Sequence, residues 1–233
     1  MKKNVSRVLV FVILFLLFQI GCVNADIGKE SSQASLMTEE YKNNITKEEK
    51  ELTDGLTYAN ESLIHTDSAI LYTNNNPNKK NITVCVNAGH GTSGGENVRT
   101  YCHPNHTAKV TGGTTGEGSI QAIAVSSGMD FADGTPERSA TLREALIFKD
   151  VLLSNGYNVL MIREGDDIQL DNVARTVLAN SYANCHIAIH WDSTSSDKGA
   201  YYMAVPKHDS AYLDMEPVAS TYQKSDTLGE NLI

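Results

Sequence analysis

Three short apolar runs, separated by two segments with helical periodicity, constrain the fold of this chain most strongly. The runs cover residues 82–86, 157–162 and 185–189, and each reads as a buried strand. The intervening segments, 135–155 and 170–182, carry apolar residues at helical spacing. Strands that alternate with helices pair in parallel, and the helices pack on both faces of the sheet. We therefore predict one three-layer α/β domain with a mostly parallel central sheet.

The chain begins with a pattern typical of export. Three basic residues within the first seven positions precede an apolar run over residues 8–20, which is short for a stable membrane span. Two processing routes are open: cleavage after the small residues at 23–25, or lipidation at Cys22, which follows Ile20 and Gly21 as in bacterial lipoproteins. Either route predicts a signal peptide within residues 1–25. It also predicts a location outside the cytoplasmic membrane, with membrane contact only through this segment or a lipid anchor.

A polar segment follows the signal. Residues 26–80 are rich in Asn, Ser, Thr, Lys and Glu, and we predict a low-complexity tether there with a short helix near 38–52. The folded domain is expected over residues 81–233, with a further strand candidate at 200–205 and a helix beginning at 227–230.

Charge and composition exclude some partners. The chain has 41% hydrophobic and 20% charged residues and a net charge of −9, which favours a soluble folded body. Without a basic face to offset the acidity, nucleic acid is not an expected partner.

Two histidines and a glutamate stand where the ends of these elements should meet. His90, between two glycines, directly follows the first buried strand, and His190 directly follows the last. The carboxyl ends of parallel strands meet at one edge of a sheet, where ligands bind. Glu137 lies in the first turn of the intervening helix, with Glu144 two turns later as a rival. Two imidazoles and one carboxylate are a typical ligand set for catalytic zinc, with a fourth position open.

Other candidate metal ligands are weaker. Cys102, His103 and His106 lie in a long Gly-rich loop over residues 91–134, but their spacing fits no structural zinc pattern. His186 is expected to be an interior, hydrogen-bonded histidine, because strand alternation puts it on the face of His190 but deeper.

Three segments together carry a family resemblance. They are Asn87-Ala88-Gly89-His90-Gly91, then Glu137 to Leu142 with the strand at 156–159 and Arg163, and last Arg175 to Asn180 with Ala188-Ile189-His190. In this order and at these intervals they resemble the zinc-dependent N-acetylmuramoyl-L-alanine amidase catalytic domain of bacterial cell-wall hydrolases. The resemblance runs from Ile82 to the C-terminus.

The resemblance implies a metal site and a reaction. It implies His90, Glu137 and His190 as Zn²⁺ ligands, and its register selects Glu137 over Glu144. The implied reaction is hydrolysis of the amide between N-acetylmuramic acid and the first L-Ala of peptidoglycan, acting in cell-wall turnover.

The chain departs from the family pattern after His190. Trp191-Asp192 stands where the family usually has Ala-Asn, and Trp191 either lines the substrate groove or caps the core. We name Trp191, Asp192 and Asn180 as candidate substrate-binding residues.

A second departure concerns the general base. The family places its catalytic Glu in a late strand, whereas this chain ends 43 residues after His190 (233 − 190). Neither Glu216 nor Glu230 has a strand-end context, so the base is unassigned and the domain is expected to be incomplete at its C-terminus. Two alternatives to an active amidase follow: a zinc- or peptidoglycan-binding fragment without turnover, and a zinc carboxypeptidase-like peptidoglycan peptidase.

Overall fold

The computed structural model describes residues 37–194, 199–207 and 210–233. The predicted signal peptide and the first part of the predicted tether lie outside the described residues. The chain divides into a larger unit, Ser35–Ser195, and a second unit that contains Ser196–Ile233. Among the described residues, no helix is both long and apolar enough to cross a membrane.

The larger unit is built on a five-stranded sheet. Its elements in chain order are α1 (Glu39–Asn43), β1 (Ile45–Glu51), β2 (Ser68–Asn74), β3 (Thr83–Ala88), β4 (Arg99–Tyr101), β5 (Gln121–Ile123), α2 (Glu137–Ser154), β6 (Asn158–Met161), α3 (Asn172–Tyr182) and β7 (Cys185–Ile189). The sheet order is β1-β2-β6-β3-β7, and β4 and β5 form a separate pair. Strands β6, β3 and β7 are parallel, as predicted, while β1 and β2 add an antiparallel edge.

Two hydrophobic clusters form the core, one on each face of the sheet. Val84 and Val86 of β3 pack on one face with Ala145 and Leu153 of α2. The alternate residue Cys85 points to the opposite face, where it packs with residues of α3 that include Leu178. The predicted three-layer α/β architecture is therefore confirmed.

The prediction of a tether is wrong for residues 37–80. This segment supplies α1, β1 and β2. Of the residues 38–52, where a short helix was expected, those of α1 are helical and those of β1 form a strand. Strand β1 lies at the edge of the sheet and most of its residues are exposed, so its sequence is charged rather than apolar.

The asparagines of this segment are structural. Asn74 is buried, and its side-chain amide donates to the backbone oxygen of Leu153 at 2.7 Å. Asn76 is buried too and donates to the oxygen of Tyr41 at 3.0 Å. Polar residues that form buried hydrogen bonds with the backbone give a segment the composition of a disordered one, although the segment is folded.

The described part of the second unit contains two helices, α4 (Ser210–Leu213) and α5 (Val218–Leu232). The strand predicted at 200–205 is absent from the described residues 199–207. The helix start predicted at 227–230 is also wrong, because α5 begins directly after Pro217 and Thr227 donates to the oxygen of Gln223 within it. Helix α5 is fixed to residues 199–207 by an ion pair of 2.5 Å between Lys207 and Asp226.

Candidate metal centre

The structure brings His90, Glu137 and His190 together. Oε1 of Glu137 lies 2.9 Å from Nε2 of His90 and 3.1 Å from Nδ1 of His190. The two imidazole nitrogens are 3.1 Å apart. Within the described part of the chain, these residues are the one group of His, Cys, Asp and Glu side chains that could hold a metal ion.

Adjacent parallel strands position the two histidines. Ala88 of β3 lies opposite Ile189 of β7, and the next amide, that of Gly89, donates to the oxygen of Ile189 at 3.0 Å. Both strands end at this point, which places His90 and His190 side by side. Their rings meet edge to face with centroids 4.7 Å apart.

Glycines around His90 are required by close packing. A Cβ at Gly89 would lie 2.3 Å from Cε1 of His190, and a Cβ at Gly91 would lie 2.9 Å from the guanidinium of Arg163. His90 itself has φ 64, in the left-handed region that few residues other than glycine adopt. A strained backbone at a non-glycine residue persists only where its surroundings fix it.

A carbonyl of the Gly-rich loop sets the tautomer of His90. Nδ1 lies 2.8 Å from the oxygen of Ser126, which accepts the ring N–H. Nε2 is therefore left with its lone pair directed at Glu137 and His190. The ring is buried, with 8% exposure.

Main-chain amides hold the carboxylate of Glu137. Oε1 accepts the N–H of Trp191 at 2.9 Å, and Oε2 accepts the N–H of Met129 at 3.0 Å. Burial raises the pKa of Glu137, but these two amides together with His90 lower it further, and the net shift is downward. Glu137 is therefore ionised at neutral pH, as a metal ligand must be.

His190 forms the more open side of the cluster, with its side chain 52% exposed. Partial burial and the neighbouring His90 lower the pKa of His190, against the opposing effect of Glu137. The imidazole is therefore neutral at pH 7 and offers a lone pair.

Two buried arginines, each 1% exposed, bind the backbone that carries His90. Arg163 donates to the oxygen of Gly89 at 2.8 Å, and Arg175 donates to the oxygen of His90 at 2.8 Å. Burial lowers the pKa of each guanidinium to about 10, so both remain charged at neutral pH. The carbonyls of residues 88–90 thus satisfy two buried cations.

The donor set fits zinc. Ligand atoms of a tetrahedral zinc with bonds of about 2.0–2.1 Å lie about 3.3 Å apart. The three pairs of atoms here are 2.9–3.1 Å apart, slightly inside that value. Two imidazoles and a carboxylate match the ligand chemistry of zinc hydrolase sites, and the exposed side of His190 leaves access for a fourth ligand.

Of the other predicted site residues, Trp191 and Asp192 lie next to a ligand in the sequence, whereas Glu144 and Asn180 do not join the cluster. Glu144, the rival ligand, is not part of the metal-binding group, and burial raises its pKa against the opposing effect of the Trp191 side chain. Trp191 and Asp192 follow His190 directly, and both are exposed. Asn180 is not brought to the ligands. It is exposed near the end of α3, which leads back to the start of β7, whereas the ligands lie at the carboxyl ends of the strands.

The loop cluster and His186 behave as the sequence suggested. Of the loop residues, His106 stacks on Tyr101 and lies 3.2 Å from Glu61, and the three do not form a metal-binding group. Nε2 of His186 lies 3.2 Å from the side-chain amide of Asn87. Burial, together with Arg175, lowers the pKa of His186 to about 4, so this ring is neutral.

Sequence reasoning missed the contribution of the Gly-rich loop. Ser126 orients His90 and Met129 holds Glu137, both through main-chain groups that no residue type reveals. Gly128 between them has φ +85, and a Cβ there would lie 2.9 Å from Oε2 of Glu137. Gly128 was the one residue in the sequence that could have indicated this close approach of the loop to the ligands.

Comparison with known proteins assigns the family. The family model described as N-acetylmuramoyl-L-alanine amidase matches residues 84–232, which is more than half of the chain. No curated protein and no solved structure matches it. The matched region contains β3, α2 and β7, the elements that carry His90, Glu137 and His190. The chain therefore belongs to the N-acetylmuramoyl-L-alanine amidase family.

Proposed function

We propose that this protein is a zinc-dependent hydrolase of the amide between N-acetylmuramic acid and L-Ala in peptidoglycan, acting in cell-wall turnover. The family gives the reaction class and the polymer. The observation that carries zinc dependence is the convergence of three potential ligand atoms, 2.9–3.1 Å from one another, at one edge of the sheet.

Each residue of the centre has a defined part in this proposal. His90 and His190 supply neutral nitrogens, and Glu137 supplies one negative charge. When bound there, zinc supplies Lewis-acid activation of the amide carbonyl and of a water nucleophile. The amides of Trp191 and Met129 keep Glu137 ionised and oriented. The exposed side of His190 is the side from which the substrate amide would approach.

Proton transfer is not assigned to a residue. Glu144 lies near the side chain of Trp191, two helical turns from Glu137. Glu216 lies just before α5 and Glu230 lies within α5, so neither ends a strand. A protein without its general base would lose on the order of 10²–10⁴ in rate while keeping its metal ligands.

The test separates metal binding from turnover. The full chain is purified, its zinc content is measured by mass spectrometry, and it is incubated with sacculi. We expect near-stoichiometric zinc and the release of stem peptides with a free L-Ala amino terminus. Zinc and sacculus binding without release would instead support a binding protein. Release of C-terminal D-Ala would support a peptidase, and absence of zinc would refute the metal assignment.

The location is part of the proposal. Export through residues 1–25 would bring the protein to peptidoglycan, outside the cytoplasmic membrane, either secreted or lipid-anchored. Replacing Cys22 by Ser separates the two routes: it abolishes membrane retention and lipid labelling if Cys22 is acylated. It leaves a secreted protein unchanged if cleavage follows residues 23–25.

A further inference from the structure

Trp191 is an exposed aromatic residue directly beside the metal centre. It follows His190, its main-chain N–H binds Glu137 at 2.9 Å, and its side chain is 45% exposed. It is also the one tryptophan of the whole sequence. Large aromatic side chains that stay exposed beside a reactive site are typical of ligand contact, because they present apolar area at low entropic cost.

The indole ring is held on two sides. Its side chain interacts with the carboxylate of Glu144 on α2, and this interaction lowers the pKa of Glu144 against the larger, opposing effect of burial. Phe131, near the end of the Gly-rich loop, meets it edge to face with centroids 5.3 Å apart. Glu144 contacts the polar end of the indole, and Phe131 contacts the ring from another side. The exposed remainder of the indole is therefore an apolar surface that is already held in place.

The charges around this surface indicate what it would bind. Glu144 lies near the ring, the exposed Asp192 directly follows Trp191 in the sequence, and the chain as a whole carries a net charge of −9. Negative charge disfavours an acidic peptide. A neutral pyranose ring suits the site, because its C–H face stacks on an aromatic surface and its hydroxyls donate to carboxylates.

We propose that Trp191 is a specificity-determining residue whose indole face stacks on the sugar ring beside the scissile amide. The inference rests on the proposed amidase function, since that substrate joins a sugar to a peptide. It assigns the sugar side, rather than the peptide side, to Trp191.

Intrinsic fluorescence tests the contact without turnover, because the emission of the single tryptophan reports on Trp191 alone. The full-length protein is titrated with the uncharged methyl amide of N-acetylmuramic acid and, separately, with the free stem peptide. We expect a saturable change of emission with the sugar and none with the peptide. A response to the peptide alone, or no response to the sugar at millimolar concentration, would overturn the proposal.

Kinetics of two substrates provide the second test. One is a muramyl peptide, and the other is the same peptide carrying only the lactyl group. For Trp191→Ala we expect KM for the muramyl peptide to rise about tenfold, a typical loss for one aromatic contact. We expect a smaller rise for Trp191→Phe and no change for the lactyl peptide. Both variants keep the main-chain N–H that binds Glu137.

Equal loss on both substrates would show a structural role and overturn the proposal. Tyr101→Ala is the matched control, since Tyr101 is also exposed, at 37%, but stacks on His106. It should leave both KM values unchanged. If the wild-type protein cleaves neither substrate, the proposed function fails, and the fluorescence titration alone decides the role of Trp191.

Discussion

The guanidinium of Arg175 donates a hydrogen bond of 2.8 Å to the backbone oxygen of His90. The same nitrogen donates to Thr92 at 2.8 Å, so one buried cation spans the turn that carries the first ligand. A side chain that never faces the metal thereby fixes a ligand whose backbone lies at φ 64. Such supporting contacts commonly decide how well a site is organised.

Replacing Arg175 should weaken the metal centre without touching a ligand. Arg175→Lys keeps the charge but cannot reproduce the fork of donors, and we expect zinc affinity to fall on the order of 10–100-fold. Competition with a chelator measures it. Thr176→Ala, at the exposed neighbouring position, is the control. Unchanged affinity in Arg175→Lys, with native circular dichroism, would refute the supporting role.

Glu137 and Glu144 offer a matched pair on one helix, two turns apart. Glu137→Gln removes the negative ligand, and we expect loss of stoichiometric zinc, because the site then offers only neutral donors. Glu144→Gln should retain zinc. Equilibrium dialysis with metal analysis compares the two variants. Retention in the first and loss in the second would transfer the ligand assignment to Glu144.

Gly89 should not tolerate a side chain. In Gly89→Ala the new Cβ would lie 2.3 Å from the ring of His190, so the ring must move away from its partners. We expect loss of zinc and a destabilisation of about 1–3 kcal/mol, the usual cost of overpacking. Denaturant unfolding measures the second quantity. Gly55→Ala, where no atom lies within 4 Å of the added Cβ, is the control and should be nearly neutral.

Stability should fall in acid partly through His186. Its pKa is about 4 in the folded protein, against about 6.5 when unfolded. The unfolded chain therefore binds a proton first as the pH falls through 6.5, and folding loses stability progressively until about pH 4. The full loss is about 3–4 kcal/mol, at roughly 1.4 kcal/mol per pKa unit.

The comparison with His186→Gln isolates this effect. Unfolding free energies at pH 7 and pH 4.5 should differ less in the variant than in the wild type. His65→Gln, at an exposed position, controls for the removal of a histidine. An identical pH dependence in wild type and His186→Gln would contradict the inference.

The sequence predicted the centre of the fold well, because β3, β6 and β7 are short apolar strands between two helices. It failed at β1 and β2, because an edge strand such as β1 keeps charged residues and the buried Asn74 and Asn76 read as polar linker. Burial of polar residues depends on partners that are distant in sequence. Those partners become visible only after the chain has folded.

The candidate site was predicted to a similar extent. His90, Glu137 and His190 could be found because each stands at the end of a recognisable element. Arg163 and Arg175 were recognised as residues of the motifs, but nothing in the sequence indicates that their guanidinium groups are buried against backbone carbonyls. The prediction that Asn180 binds substrate was wrong for a simpler reason. A helix that runs antiparallel to its strand carries its last turns away from the carboxyl end of that strand.

The pairing of β3 with β7 has a consequence for how the protein comes apart. The amide of Gly89 binds the oxygen of Ile189, so the two imidazoles stay together only while these strands remain paired. A zinc ion bound by both histidines would therefore also join β3 to β7. A bound ion would raise the free energy of unfolding by RT ln(1 + [Zn²⁺]/Kd), about 4 kcal/mol at a thousandfold excess over Kd. Removing the metal would loosen the edge of the sheet where β7 pairs with β3, and hydrogen exchange at β3 and β7 would be faster in the metal-free protein.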